Sequence, residues 1–91
     1  MLVTKKFKEI EKQLIDLNYN VKNYGNGKLF YKYTYGNCRI DISVRDDGKI
    51  VHKAVYLIDF EVKSQTDIEN LQNAFDKMQK DFLSLKITKE M

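Results

Sequence analysis

The stretch that decides the fold spans residues 28–45 and reads KLFYKYTYGNCRIDISVR. On both sides of a central Gly36-Asn37 pair, apolar or aromatic residues alternate with polar ones, which is the period of a β-strand. A Gly-Asn pair between two such runs favours a tight hairpin turn. The sequence therefore predicts two antiparallel strands, at about 28–35 and 38–45.

The same turn predicts the register of this hairpin. A two-residue loop pairs Tyr35 with Cys38, and further along the strands it pairs Tyr33 with Ile40. Every pair on that face is then apolar or aromatic, and a slip of one residue would destroy the agreement. The face predicted to meet the core carries Leu29, Tyr31, Tyr33, Tyr35, Cys38, Ile40, Ile42 and Val44.

A third strand is predicted at about 49–62, after the turn signal Asp46-Asp47-Gly48. A type I turn with Gly48 in the left-handed conformation would join Arg45 to Lys49. This loop predicts a core face of Ile50, His52, Ala54, Tyr56, Ile58 and Phe60, and an outer face of Val51, Lys53, Val55, Leu57 and Asp59. A loop shorter by one residue would exchange the two faces.

Two helices are predicted around this meander, at about 2–17 and 65–86. Apolar residues recur at spacings of three and four in both segments, which places them on one face of each helix. They are Val3, Phe7, Ile10, Leu14 and Leu17 in the first, and Ile68, Leu71, Phe75, Met78, Phe82 and Leu85 in the second. The fold class expected is α+β: a two-layer α-β-β-β-α sandwich with both helices on one face of a three-stranded meander.

The boundaries of the second helix and the remaining segments follow from local signals. Thr66 and Glu69 stand at capping-box spacing, with Ser64 as an alternative cap. Residues 18–27 are predicted to be a loop and residues 86–91 a frayed end. Residues 1–91 are expected to form one domain.

Composition narrows the class of protein. The chain is 43% hydrophobic and 32% charged, with a net charge of +3, which is typical of a globular domain and below the basic density of a dedicated nucleic-acid binder. One cysteine and no apolar run near 18 residues favour a cytoplasmic protein that does not span a membrane.

No set of residues predicts catalysis or metal binding. Cys38 and His52 are predicted to lie about 13 Å apart, four residues along a strand, which is too far for a thiol–imidazole pair. Asp46 and Asp47 are explained by the turn. The expectation is a protein that is not an enzyme, with no cofactor and no metal.

The outer sheet face is the predicted partner-binding surface. Its apolar residues, with a charged rim that includes Lys53, are typical of an interface with another protein or with a second copy. These residues are Phe30, Val51, Val55, Leu57 and Lys53. The alternative interpretation is that the first helix crosses to this face and buries it.

Nucleic-acid binding is the alternative function. The cations of the sheet would carry it, namely Lys28, Lys32, Arg39, Arg45 and Lys53. Aromatic residues interleaved with lysines on one strand resemble the stacking platforms of single-strand binders. In the predicted register, however, Tyr31, Tyr33 and Tyr35 share the face that the helices cover.

Two resemblances bear on function. The element order is similar to that of double-stranded RNA-binding domains, but their lysine cluster at the start of the last helix corresponds here to the acidic stretch 66–70, so no RNA-binding residues carry over. The stretch 17–22, the Asp46-Asp47-Gly48 hairpin and the end soon after Ile87 resemble small phage or mobile-element proteins of the anti-CRISPR inhibitor type. That resemblance implies a protein-binding inhibitor, and the charge of +3 does not fit mimicry of DNA.

Overall fold

The computed structural model describes residues 3–35 and 37–88. Its elements in chain order are α1 (Lys5–Asp16), β1 (Asn20–Tyr24), β2 (Gly27–Thr34), β3 (Cys38–Arg45), β4 (Ile50–Leu57) and α2 (Gln65–Leu83). The strands form one antiparallel sheet in the order β1-β2-β3-β4. The predicted α+β class is confirmed, with four strands in place of three.

One hydrophobic core lies between the helices and one face of the sheet. Its buried members are Phe7, Ile10, Leu14, Tyr19, Phe30, Ile40, Ile42, Val44 and Met78. Burying a large apolar side chain of this kind contributes roughly 1.5–3 kcal/mol, so this layer provides most of the driving force for folding. Both helices contribute to it from the same side.

Helix α1 is bounded by polar residues at both ends. The Thr4 hydroxyl accepts a 3.2 Å hydrogen bond from the backbone N–H of Phe7, which is N-capping. Asn18 follows the helix with a φ of 71°, a left-handed conformation that asparagine tolerates. Of the predicted span 2–17, residue 2 lies outside the described residues.

Strand β1 corrects the prediction of a loop over residues 18–27. It pairs with β2 from Asn20 opposite Tyr31 to Tyr24 opposite Gly27. All five of its side chains are exposed, so backbone pairing rather than burial holds the strand. A sequence pattern reports burial, which explains why this strand gave no signal.

The β2–β3 register differs from the predicted one by a single residue. Thr34, not Tyr35, lies opposite Cys38, because three residues rather than two connect the strands; the predicted turn residue 36 lies outside the described residues. Since a one-residue slip exchanges the faces of a strand, Phe30 takes the core position and is fully buried. Tyr31 and Tyr33 move to the other face.

Strand β4 shows a second exchange of faces, and its cause is a bulge. The predicted loop is confirmed, with Gly48 at a φ of 87°. Ile50 pairs with Val44 but His52 pairs with Ser43, which leaves Val51 as the extra residue of a β-bulge. Beyond the bulge, the side toward the helices carries Lys53, Val55 and Leu57, and the outer side carries His52, Ala54 and Tyr56. The strand ends at Leu57, earlier than the predicted residue 62.

Three lysines point toward the helices and reach charged or polar partners there. Lys28 pairs with Glu11 of α1. Lys53 lies 3.1 Å from Gln79, with its ammonium 4.2 Å from the centre of the Phe82 ring. The predicted basic outer surface therefore loses these lysines, and Lys32 lies on the same inner side.

Lys32 belongs to a buried polar cluster centred on Asp81. Asp81 is 2% exposed, and its carboxylate accepts bonds from the Tyr19 hydroxyl at 2.9 Å, from Lys32 at 3.2 Å and from Lys77 at 3.0 Å. Lys32 also donates to the carbonyl oxygen of Leu17 at 2.8 Å. The cluster joins the end of α1, strand β2 and helix α2 through one carboxylate.

The ends of α2 match one predicted cap and correct one predicted tail. Asp67 accepts bonds from the backbone N–H groups of Lys63 and Ser64 at 2.8 and 3.0 Å, so the cap is Ser64, the alternative to Thr66. Residues 86–88 lie along α1, where the Gln13 side chain exchanges two 2.8 Å bonds with the Lys86 backbone. They are not frayed, and residues 89–91 lie outside the described residues.

Gly27 lies where no side chain fits. A Cβ atom there would be 2.6 Å from the Tyr24 hydroxyl oxygen and closer still to the Val44 carbonyl oxygen. The Tyr24 hydroxyl shares a 2.7 Å hydrogen bond with Ser43, so a methyl group would displace a held ring or the strand pairing. We expect Gly27→Ala to lower the free energy of unfolding by about 1–3 kcal/mol in urea denaturation. Gly25→Ala, where a Cβ meets nothing within 4 Å, is the control, and equal losses would contradict this.

Candidate functional site

The outer face of the sheet carries a group of aromatic side chains that we call the tyrosine face. Strand pairing places on this face Lys22, Tyr24, Leu29, Tyr31, Tyr33, Arg39 and Tyr56. Both helices lie on the opposite side of the sheet. Tyr33 is accordingly 59% exposed, which is high for a large aromatic side chain.

A row across three strands forms the centre of the tyrosine face. Tyr33, Arg39 and Tyr56 lie directly opposite one another on β2, β3 and β4. The Arg39 guanidinium carbon is 5.2 Å from the centre of the Tyr56 ring, which is within the range of a cation–π contact. Tyr31 and Tyr33 meet edge to face, with ring centres 6.3 Å apart.

Asp41 holds Arg39 in place from below. The guanidinium donates two bonds to the carboxylate, at 2.8 and 2.9 Å, and Asp41 is buried while Arg39 remains half-exposed. These bonds raise the pKa of Arg39 above its usual value, more than burial lowers it, with a further contribution from the Tyr33 hydroxyl. The fork is thereby fixed in a geometry that presents its remaining face to solvent.

A groove crosses the β1–β2 side of the tyrosine face. It has a volume of about 240 Å³ and is lined by Lys22, Leu29, Tyr31, Tyr33 and Arg39. The walls are aromatic and aliphatic, and a cation is present on each side. Such a groove offers ring faces to a planar ligand and positive charge to an anionic neighbour of that ligand.

Cations outnumber carboxylates among the strand residues of this face. Its strand residues include the cations Lys22, Arg39 and Arg45 and the one carboxylate Asp41, which is buried beneath Arg39. Arg45 also pairs with Asp47 in the following turn. Farther from the face, residues 57–76 carry five carboxylates and one lysine, so the acidic part of the chain is a separate segment.

The residues predicted to bind a partner do not lie on one common surface in the structure. Of the predicted protein-binding set, Phe30 is fully buried and Val55 packs against the core. Val51 and Leu57 are exposed at the edge strand β4. Of the predicted nucleic-acid set Lys28, Lys32, Arg39, Arg45 and Lys53, the two arginines alone share the outer face.

Cys38 and His52 lie on opposite faces of the sheet. Cys38 is fully buried on the helix side, and burial raises the pKa of its thiol, which disfavours the reactive thiolate. His52 is exposed on the outer side, with Nε2 2.8 Å from the Tyr56 hydroxyl. Within residues 3–35 and 37–88, no three His, Cys, Asp or Glu side chains are grouped as a metal site.

The tyrosine face was missed at the sequence level because it depends on the register. The aromatic-basic alternation of β2 was visible, but the two-residue turn assigned its tyrosines to the core. Tyr24 and Lys22 lie on a strand that the pattern did not reveal.

Comparison of the chain with models of protein families, with curated protein sequences and with solved structures finds no match. The resemblance to inhibitors of the anti-CRISPR type stays a prediction. No helix in the described part of the chain is long and apolar enough to cross a membrane.

Proposed function

We propose that this chain is a non-enzymatic binding domain that takes up single-stranded nucleic acid on its tyrosine face. The observation that carries the proposal is the position of Tyr31 and Tyr33, which lie side by side on the uncovered side of the sheet between Lys22 and Arg39. In the register expected from the sequence, the helices would have covered these rings. The register in the structure removes that obstacle.

The rings provide the part of binding that does not depend on sequence. Every nucleobase has a flat face, so an exposed tyrosine can stack on any of them. Tyr33 has most of its ring free, and Tyr56 lies two strands away in the same row. Tyrosine also loses little side-chain entropy on binding, because the sheet already fixes its direction.

The cations supply the phosphate contacts. Lys22 and Arg39 line the groove beside the rings, and Arg45 extends the positive row along β3. Each phosphate neutralised on a single strand adds about −0.7 to the slope of log K against log salt. If all three cations contact phosphates, we expect a slope of about −2; Arg39 and Arg45 would then share their guanidinium groups with Asp41 and Asp47.

The test is fluorescence anisotropy with labelled 12-mers of oligo-dT and oligo-U over a salt series. We expect both to bind at low salt, and Tyr33→Ala and Tyr31→Ala each to weaken binding by roughly 5- to 150-fold, the effect of losing one stacked base. The two probes also show whether the sugar 2′-hydroxyl matters. A duplex of the same length should bind more weakly, because its bases are not available for stacking.

Tyr35→Ala is the matched control. Tyr35 is exposed to a similar degree but lines a different groove, next to Asn73 and Lys77 of α2. Its replacement should leave the affinity unchanged. Absence of binding to both oligonucleotides at low salt, or equal losses in the Tyr33 and Tyr35 variants, would overturn the proposal.

Protein binding, as in a small phage or mobile-element inhibitor, is the second candidate. The observation in its favour is the apolar edge of the sheet, where Val51 and Leu57 are each about half-exposed. A charge at Leu57 should then abolish partner binding without unfolding the domain. Val55 is unsuitable for this test because its side chain packs against the core.

A further inference from the structure

Strand β4 is an edge strand with an apolar sequence. Within the described residues, no strand pairs with it on the side away from β3. Val51, Val55 and Leu57 lie along it, with one lysine, Lys53, between them. Proteins normally protect such an edge with prolines, charges, bulges or a covering segment. This chain contains no proline, and the protection found along β4 is the bulge at Val51 and the inward-pointing Lys53.

The backbone of β4 is oriented for a further strand. The N–H of Ile58 donates to the carbonyl oxygen of Asn37 at 2.8 Å, so beyond the bulge the even-numbered residues, His52, Ala54 and Tyr56, bond to β3. In an antiparallel ladder, alternate residues point their N–H and C=O groups to opposite sides. Lys53, Val55 and Leu57 therefore direct theirs to the open edge.

We infer that β4 pairs with β4 of a second copy, antiparallel and about a two-fold axis at Ala54. This inference goes beyond the proposed function and does not depend on it. In this register Lys53 lies opposite Val55 of the second copy, and both are residues whose backbone groups point outward. His52 lies opposite Tyr56 of the second copy. Two-fold symmetry makes each contact occur twice.

Apolar residues meet near the ends of the paired strands. In this register Val51 approaches Leu57 of the second copy, and both side chains are about half-exposed in the single chain. Within the paired residues 52–56, no like charges lie directly opposite one another.

Helix α2 extends the same interface on the inner side of the sheet. One flank of α2 holds Asp81, which faces β2 through Lys32. The other flank faces β4, as the contact between Phe82 and Lys53 shows. Ile68 and Phe75 continue that second flank at helical spacing and are 48% and 43% exposed. Pairing of the β4 strands would bring the two α2 flanks together and bury these side chains.

The two-fold axis indicates where an introduced cysteine should cross-link the two copies. Ala54 lies opposite Ala54 of the second copy in a pair without direct hydrogen bonds, where the Cα atoms are about 4.5 Å apart, a distance that allows a disulfide. Ala54→Cys should therefore form a covalent dimer under mild oxidation. Lys22→Cys on the opposite edge, β1, is the control and should stay reduced. The native Cys38 is buried and does not compete.

Sedimentation equilibrium tests for the dimer without introducing a cysteine. The wild type should approach twice the chain mass of 10.8 kDa, and Phe75→Glu or Leu57→Lys should shift it to the monomer. Ile15→Glu changes a residue of α1 with similar exposure, 48%, and should leave the dimer intact. A wild type that stays monomeric across the concentration series, or a cross-link at residue 22 rather than 54, would overturn the inference. Neither result bears on oligonucleotide binding by the monomer.

Discussion

Replacing Asp81 by alanine is expected to lower the free energy of unfolding by about 3–5 kcal/mol, the cost of breaking a buried ion pair by removing one partner. The carboxylate accepts bonds from Tyr19, Lys32 and Lys77. Without it, the Tyr19 hydroxyl loses its partner, and the Lys32 ammonium keeps the Leu17 carbonyl oxygen but loses its counter-charge in a largely buried site. The free energy of unfolding of a natural domain is only about 5–15 kcal/mol, so this loss would remove a large share of the stability.

The same cluster predicts how stability depends on pH. Burial by itself would raise the pKa of Asp81, but the bonds from Lys77, Tyr19 and Lys32 outweigh it and hold the pKa below its usual value. The unfolded value is about 3.9. The charged cluster therefore contributes fully above about pH 4 and its contribution is lost as the pH falls through the lower, folded-state pKa. Asp81→Asn should remove this acid-dependent part of the stability curve.

Urea denaturation followed by circular dichroism measures both effects. Asp76→Ala is the matched control on α2, because Asp76 is exposed and bonds with Gln72 alone among the described side chains; its effect should stay within about 0.5 kcal/mol. An Asp81→Ala loss no larger than that of Asp76→Ala would show that the cluster contributes little. A stability difference between wild type and Asp81→Asn that does not change below pH 4 would contradict the pKa direction.

The sequence predicts the elements of this domain better than it predicts their faces. Both helices could be predicted because apolar residues such as Phe7 and Met78 recur at spacings of three and four, a pattern that indicates a helix. The faces of the strands depend on loop length, and one additional residue before Cys38 reversed all of β2. The bulge at Val51 reversed β4 for the same reason.

The candidate site depended on these reversals. The inward position of Lys32 cannot be predicted from the local sequence, because its partner Asp81 is 49 residues away in the chain. The pattern therefore assigned Lys32 to solvent and Tyr31 to the core. The cations and rings of the tyrosine face could be predicted individually, but their common location could not.

Phe30→Ala and Tyr31→Ala distinguish the two registers directly, since the residues are neighbours on β2. Phe30 is fully buried and its ring lies 6.5 Å from that of Phe7. Its replacement should cost about 3–5 kcal/mol, the usual loss for a large aromatic in a core. Tyr31 lies on the outer face, where loss of a cross-strand neighbour costs roughly 0.2–1 kcal/mol. The register expected from the two-residue turn would place the large loss at Tyr31 instead.

The pair also separates folding from binding, because the two effects should fall on different residues. Tyr31→Ala should keep the denaturation midpoint near that of the wild type while it weakens oligonucleotide binding. Phe30→Ala tests the opposite combination: under conditions where it remains folded, its affinity should match the wild type, since the side chain does not reach the tyrosine face. A large stability loss at Tyr31 with a small one at Phe30 would place the tyrosines under the helices, and the face proposed for stacking would then not exist.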